Sequence, residues 1–164
     1  MFIAMTLSLL DQELEKIEKA LHRISDAQVW EKRKEGTNSI GNLCLHLAGN
    51  EFHNIASSIG GLPYTRERSA EFRAEGGFSC KELYGRLKEV REQSRSVLSA
   101  ISEQDLEREV TVHYPEDAGI ATYNRPIGRL LYHLTVHYGY HTGQIVYMAR
   151  LLQEQDNNIL KWKH

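Results

Sequence analysis

The chain contains very little cysteine and proline. Of its 164 residues, two are cysteines and three are prolines. Cys44 and Cys80 form neither a CxxC pair nor another zinc-thiolate spacing, which excludes a thiolate zinc site and a disulfide framework. So few cysteines are typical of a cytoplasmic protein with reduced thiols. The length and a hydrophobic content of 41% predict one globular domain with a real core over residues 1–164.

The sequence also lacks an excess of charge of one sign and a long hydrophobic run. Its formal net charge is −2, and basic residues alternate with acidic ones, so no extended cationic face for nucleic acid is expected. The first apolar run, in MFIAMTLSLLDQELEKIEK, follows no basic residue and is too short to span a bilayer. It continues into a charged amphipathic pattern, which predicts a helix and no membrane partner.

Four stretches of the chain have apolar residues spaced by three and four, the pattern of amphipathic helices. The first covers roughly residues 2–25, and the second runs from a cap at Asn38 or Ser39 to Gly60 and Gly61. The third begins at the capping-box pattern of Ser79 and Glu82. The fourth covers Pro126–Glu154. Four long helices in one short domain predict an all-α fold, a four-helix bundle.

The segments between these helices have less regular patterns. Residues 62–78 show no sustained period and predict a long crossover between the second and third helices, with a short turn of helix near Ser69–Arg73. Before the fourth helix, EVTVHY and GIATY are β-prone runs separated by PEDA, which predict a small hairpin-like excursion. The last residues have too little pattern to place, and Leu160 and Trp162 are the candidates for docking on the bundle.

Histidines recur every fourth residue in the last helix, at His133, His137 and His141. His137 and His141 occupy the steps of the apolar stripe between Leu134 and Ile145, so both should point into the core. Residues four apart on a helix have Cβ atoms about 5–6 Å apart. Two imidazoles at that spacing can bind one metal ion, with zinc–nitrogen bonds of ~2.0–2.1 Å.

His46 is the candidate for a third ligand, from the second helix. It lies within NLCLHLAGNE among apolar neighbours, so it should not be solvated. Metal sites of helix bundles are assembled from side chains on facing helices, and three protein ligands leave a position for water or substrate. The alternative is a core histidine satisfied by hydrogen bonds. The residues alone leave both interpretations open.

Several neighbouring residues are candidates for the surroundings of such a site. His133 is expected to orient a ligand or to pack between helices, and a pairing of His133 with His137 is the rival assignment. His53 lies ~10.5 Å from His46 along the helix axis, too far to share one metal in a straight helix, but it could line the pocket mouth. Asn50 and Gln144, one turn from His46 and His141, could orient an imidazole, contact substrate or simply pack.

A catalytic acid or base is not identifiable from the spacing. Glu51 is the candidate for a general base, although its angle on the helix points away from His46. We therefore assign no catalytic residue from the sequence.

The segments SIGNLCLHLAGNE and LLYHLTVHYGYHTGQIVY resemble the DinB/YfiT-like superfamily of metal-dependent enzymes, and the likeness covers essentially the whole chain. The resemblance implies an up-down-down-up bundle that holds a divalent metal, often zinc or nickel. One histidine of the second helix and two of the fourth would be the ligands. By position these are His46, His137 and His141, the same three that the spacing suggests.

The resemblance also implies a range of functions. Relatives in the superfamily include transferases that depend on bacillithiol, glutathione or mycothiol, in which a metal-bound thiolate attacks an electrophile. The expected partners are therefore a low-molecular-weight thiol and a small-molecule electrophile, and hydrolysis by an activated water would use the same ligands. A homodimer is expected from the resemblance and from the many aromatics on the helices. The alternative is a non-catalytic metal-binding or stress-response scaffold.

Overall fold

The computed structural model describes residues 1–155 and 158–160, apart from the side chain of residue 117. Leu160 is half-buried and packs against the core, whereas the predicted docking of Trp162 lies outside the described residues.

Four long helices form the bundle that the sequence predicts. They are α1 (Phe2–Leu21), α2 (Ile40–Glu51), α4 (Cys80–Ser99) and α5 (Ile127–Leu152), and the short α3 (Arg68–Arg73) lies in the crossover between α2 and α4. α1 packs against α4 and α5, and α2 packs against the same two helices from the other side. The prediction of a four-helix bundle with a long crossover is confirmed. α1 ends at Leu21 instead of near residue 25, because residues 22–24 form a turn.

Side-chain caps define where α2 and α4 begin. Ser39 caps α2: its hydroxyl accepts a hydrogen bond from the Asn42 amide at 3.1 Å, and Asn42 Oδ1 accepts from the Ser39 amide at 2.9 Å. Ser79 and Glu82 form the predicted capping box at the start of α4. Each pair satisfies backbone donors that a helix start would otherwise leave without partners.

The second predicted helix changes its geometry halfway. After Glu51 the chain continues as a π-helical segment, Phe52–Ile59, in which hydrogen bonds span five residues; one of this span closes the segment, from Gly60 N to Ile55 O at 2.9 Å. The segment ends at the predicted glycines, and Gly61 takes a φ of 75° that residues with side chains rarely adopt. π-Helical segments are rare and frequently occur at functional sites.

A two-stranded antiparallel hairpin precedes α5. Strand β1 (Glu109–Val112) pairs with β2 (Tyr123–Pro126), with Val112 opposite Tyr123. The hairpin was predicted, but the second strand was wrongly placed in GIATY. Gly119 turns the chain with a φ of 67°, and Thr122 bonds the backbone of Tyr114 through its hydroxyl, so ladder pairing begins only at Tyr123.

The hydrophobic core is built from the inward stripes of all four long helices. Fully buried apolar side chains include Leu10 and Ile17 of α1, Leu47 of α2, Leu87 of α4, and Leu131 and Ile145 of α5. Cys44 is buried in this core as a free thiol, and Cys80 is also free. In the part of the chain that the structure describes, no helix is long and apolar enough to cross a membrane.

Candidate metal centre

Three imidazoles from two helices meet inside the bundle. His46 of α2 is buried, His137 and His141 of α5 are half-buried, and one ring nitrogen of each lies within 4.8 Å of the others. The closest two are His46 Nε2 and His137 Nε2, at 3.1 Å. Nitrogens bound to one tetrahedral zinc ion are about 3.3 Å apart, so this separation suits a shared metal. The structure thus brings together the three histidines that the sequence indicates.

The local structure of the two helices explains this convergence. His137 and His141 are one turn apart on α5, and their ring centroids are 4.5 Å apart. His46 lies in the middle of α2, which packs against α5, and its ring centroid is 5.0 Å from that of His137 and 5.1 Å from that of His141. The apolar stripe of α5 fixes this register, because Leu134, Tyr138 and Ile145 are buried on either side of the histidines.

A buried ion pair from the crossover holds the ring of His46. Glu71 Oε2 lies 3.1 Å from His46 Nδ1, and Arg66 binds the same carboxylate through Nε at 2.6 Å and Nη2 at 2.8 Å. An Nδ1–H that donates to Glu71 leaves the Nε2 lone pair facing the other histidines, which is the tautomer a metal ligand needs. Arg66 Nη2 also approaches Nδ1, at 3.2 Å.

Two residues of α2 position Glu71: Gly49 leaves space for its carboxylate, and Asn42 binds the backbone of α3. A Cβ at Gly49 would overlap Glu71 Oε1, so only glycine allows the carboxylate to approach α2 here. The Asn42 amide donates to the carbonyl oxygens of Glu71 at 2.9 Å and Ala74 at 2.7 Å, and thereby fixes α3 on α2. Sequence reasoning missed Glu71 and Arg66, since the crossover has no periodicity that would place them.

His141 and His137 differ in how their second nitrogens are bonded. His141 Nδ1 lies 2.7 Å from Gln144 Oε1, one turn along α5, so it donates to the amide oxygen and leaves Nε2 for another ligand. Gln144 is thus placed where it can orient an imidazole. His137 Nδ1 is buried and has no hydrogen-bond partner among the described residues.

Burial favours the neutral form of His137 and His141. It lowers the pKa of His137 to about 3, with the neighbouring His46 and His141 adding to the effect. Burial also lowers the pKa of His141, although its hydrogen bond to Gln144 opposes this. Neutral imidazoles offer a lone pair without first losing a proton. The donor set, three imidazole nitrogens, suits zinc, nickel, iron or copper.

The remaining candidates from the sequence lie in different places. His133 and Asn50 line a cavity of about 240 Å³ together with His137, so both flank the cluster, but His133 does not belong to the group that could share a metal. The rival pairing of His133 with His137 therefore lacks a convergent third ligand among the described residues.

His53 does not line this cavity, contrary to the expectation. It is fully buried in the π-helical segment, with its ring 4.8 Å from that of Tyr64 and 4.7 Å from that of Tyr114, and Nε2 donates to the His113 carbonyl at 2.8 Å. Of the two tyrosines that contact it, Tyr114 lines the cavity. Glu51 is no base candidate either, because Arg91 binds both of its carboxylate oxygens, at 2.8 and 3.0 Å.

Comparisons with known proteins agree with the fold. The profile of the family described as "Protein of unknown function (DUF1572)" matches residues 1–163, and the chain belongs to this family. No curated protein matches the chain. Among solved structures, a conserved protein from Enterococcus faecalis is similar with a TM-score of 0.69 and 17% identity, over 91% of this chain and 95% of that one. A DinB-like protein from Bacillus cereus ATCC 10987 is similar with a TM-score of 0.67 and 20% identity, over 89% of each chain. The fold is therefore DinB-like, as the sequence motifs predicted.

Proposed function

For this member of the DUF1572 family, we propose a divalent metal centre held by His46, His137 and His141, with zinc or nickel as the metal. The observation that carries the proposal is the convergence of three ring nitrogens from α2 and α5 within 4.8 Å. Hydrogen bonds to Glu71 and Gln144 turn His46 and His141 so that their free nitrogens are available as ligands. Such bonds to the distal nitrogen of an imidazole are the usual support of metal-binding histidines.

We propose that the centre serves thiol-dependent S-transfer or hydrolysis on a small molecule. A divalent metal bound there would lower the pKa of a thiol or a water molecule and so supply a nucleophile at neutral pH. The three histidines leave a coordination position for that nucleophile. The cavity beside His137 offers space for the electrophile, and Glu71 and Arg66 keep the His46 ring from rotating during the reaction.

Turnover with a general electrophile tests the enzymatic proposal. Zinc- or nickel-loaded protein is incubated with monochlorobimane and, separately, glutathione, bacillithiol or mycothiol, and the fluorescent conjugate is measured. A hydrolysis arm uses p-nitrophenyl acetate without thiol. Activity in either arm that is lost in His141→Ala and kept in His22→Ala supports the proposal, because His22 is exposed and far along the chain from the cluster. Tight metal binding without turnover in any arm would instead favour a non-catalytic scaffold.

We further propose that the protein is a homodimer. An exposed apolar stripe runs along α5 through Tyr132, Val136, Tyr140 and Tyr147, each more than half exposed. On α1, which packs against α5, Leu9 is also exposed. Apolar patches of this kind mark association surfaces. Sedimentation at micromolar concentration should show a dimer that Tyr132→Glu dissociates; a monomeric wild-type protein would contradict the proposal.

Reduced thiols and the charge balance support a cytoplasmic protein that does not bind nucleic acid. Both cysteines are free, and the buried arginines Arg66 and Arg91 are bound by carboxylates. Fluorescence anisotropy with labelled duplex DNA should show no binding at low salt, where electrostatic association is strongest.

A further inference from the structure

The cavity beside the histidine cluster has a distinctive lining. It lies between α2 with its π-helical segment, the hairpin, and α5, and its volume is about 240 Å³. The polar side chains that line it are two amides, two phenols, two imidazoles and one guanidinium, contributed by Asn50, Asn54, Tyr114, Tyr123, Arg125, His133 and His137. Among the described residues that line it, none carries a carboxylate. The cavity is therefore polar and has no acidic group to repel an anion.

Arg125 supplies the positive charge of this cavity and is not neutralised by the described residues. Among the described residues, the two buried guanidinium groups have carboxylate partners: Arg66 binds Glu71, and Arg91 binds Glu51. Arg125, half-buried on strand β2, instead lies over the ring of Tyr123, with its Cζ 4.8 Å from the ring centroid, and within the described part of the chain no carboxylate reaches salt-bridge distance. A partly desolvated cation beside a polar cavity favours the binding of an anionic ligand.

The volume of the cavity limits the size of that ligand. Pockets for drug-sized ligands usually have about 300–1,000 Å³, so a cavity of about 240 Å³ suits a smaller molecule. One guanidinium matches one carboxylate, since its fork of N–H donors fits both oxygens. A phosphate group carries about −1.5 to −2 charge at pH 7, more than one guanidinium neutralises, and the described lining holds no second arginine or lysine. The amides of Asn50 and Asn54 lie on the same wall and offer further polar contacts.

We infer that this cavity binds a small organic carboxylate, with Arg125 as the residue that recognises its charge. The inference deepens the proposed function, because His137 forms part of the same cavity wall and the carboxylate would hold the rest of the molecule beside the histidine cluster. Arg125 would then select anionic substrates, or anionic thiols, over neutral molecules of the same shape.

Binding of a matched pair of probes to metal-free protein tests this inference. Benzoate and benzamide have nearly the same shape and differ in charge, and both are titrated into EDTA-treated protein while ¹H–¹⁵N spectra are recorded. We expect benzoate to bind at least about tenfold more tightly than benzamide, the effect of a charge-assisted hydrogen bond. Arg125→Gln should remove this preference. Arg129→Gln should keep it, because Arg129 is exposed and outside the cavity but its substitution changes the net charge equally.

The outcomes separate this inference from the metal proposal. Equal affinity for benzoate and benzamide, no binding of benzoate, or an equal loss in Arg125→Gln and Arg129→Gln would overturn the inference. Zinc content and zinc affinity are measured on the same protein without probes. Protein that prefers benzoate but holds no zinc contradicts the proposed function alone, whereas protein that holds zinc without preferring benzoate contradicts the carboxylate inference alone.

Discussion

Two polar clusters inside the bundle share helix α2 but are built in opposite ways. In one, Glu51 of α2 is fully buried and accepts two hydrogen bonds from Arg91 of α4, whose third nitrogen donates to Asp11 of α1 at 3.0 Å. In the other, His46 of the same helix faces His137 nitrogen to nitrogen, and His137 Nδ1 has no partner among the described residues. The first cluster has paired charges and the second has unpaired lone pairs.

This difference separates a structural role from a functional one. Buried polar groups cost free energy unless they are bonded, and the Arg91 cluster meets that condition with side chains from three helices. In the histidine cluster only some nitrogens are hydrogen-bonded. Glu71 binds His46 Nδ1 and Gln144 binds His141 Nδ1, but His137 Nδ1 has no partner among the described residues. Ring nitrogens that face one another with free lone pairs can bind a cation. Among the described residues, we therefore expect metal binding at the histidine cluster and not at the Arg91 cluster.

Breaking the Arg91 cluster should give the largest change in stability. Arg91→Met leaves the Glu51 carboxylate buried without its partner, and we expect the free energy of unfolding in urea to fall by about 3–5 kcal/mol. Arg95→Met is the matched control: Arg95 lies one turn along α4 and binds Asp11, but the side chains of this pair are 42% and 37% exposed, so its loss should cost under about 1 kcal/mol. Similar losses in both variants would show that the buried pair has no special role.

Weakening the hydrogen bond between Glu71 and His46 should have the next largest effect, a loss of metal affinity. Glu71→Gln keeps the side-chain shape but weakens the bond to His46 Nδ1, and we expect a 10–100-fold loss of zinc affinity by calorimetry, the usual range for such partners. Glu67→Gln, with the same change of charge on an exposed neighbour, should leave the affinity unchanged. A Glu71→Gln protein that folds and binds zinc like wild type would remove Glu71 from the centre.

The smallest expected change concerns His53, a buried histidine outside the metal cluster. Its substitution tests how burial alone makes stability depend on pH. Burial lowers its pKa to about 4 from an ordinary 6.5, so the unfolded chain takes up the proton first as the pH falls. The stability from the neutral ring is complete above pH 6.5 and is lost as the pH falls towards 4, by about 1–2 kcal/mol between pH 7 and pH 5.

The measurement is urea unfolding of EDTA-treated wild type and His53→Gln at both pH values. The variant should lose less stability than wild type on acidification and should keep its zinc affinity at pH 7. An unchanged pH dependence would mean that the His53 ring is not held neutral in the folded protein.

The sequence predicted the parts of this molecule that depend on local patterns. The spacing of Leu134, His137, His141 and Ile145 placed two imidazoles on the inner face of α5, and the apolar neighbours of His46 placed a third on α2. The cap at Ser79 was readable because capping requires particular residues at fixed offsets, whereas the cap of α2 was left open between Asn38 and Ser39, and the structure places it at Ser39. These features follow from helix geometry alone, so no knowledge of packing was needed.

Features that depend on packing between distant segments were not predictable. Glu71 and Arg66 lie in a crossover without period and reach His46 only because Gly49 and Asn42 bring α3 onto α2. Charged residues on a helix are usually exposed, so the sequence gives no reason to expect Arg91 and Glu51 inside the bundle. The π-helical segment likewise has no composition that distinguishes it from an α-helix.

The most direct test of the metal centre is the zinc stoichiometry of EDTA-treated, untagged protein after titration with zinc and dialysis, measured by elemental analysis beside the His137→Ala variant. We expect about one tightly bound zinc ion per chain in wild type and none in His137→Ala, with both proteins folded by circular dichroism. Folded wild-type protein that retains no zinc, nor nickel in a parallel titration, would contradict the account.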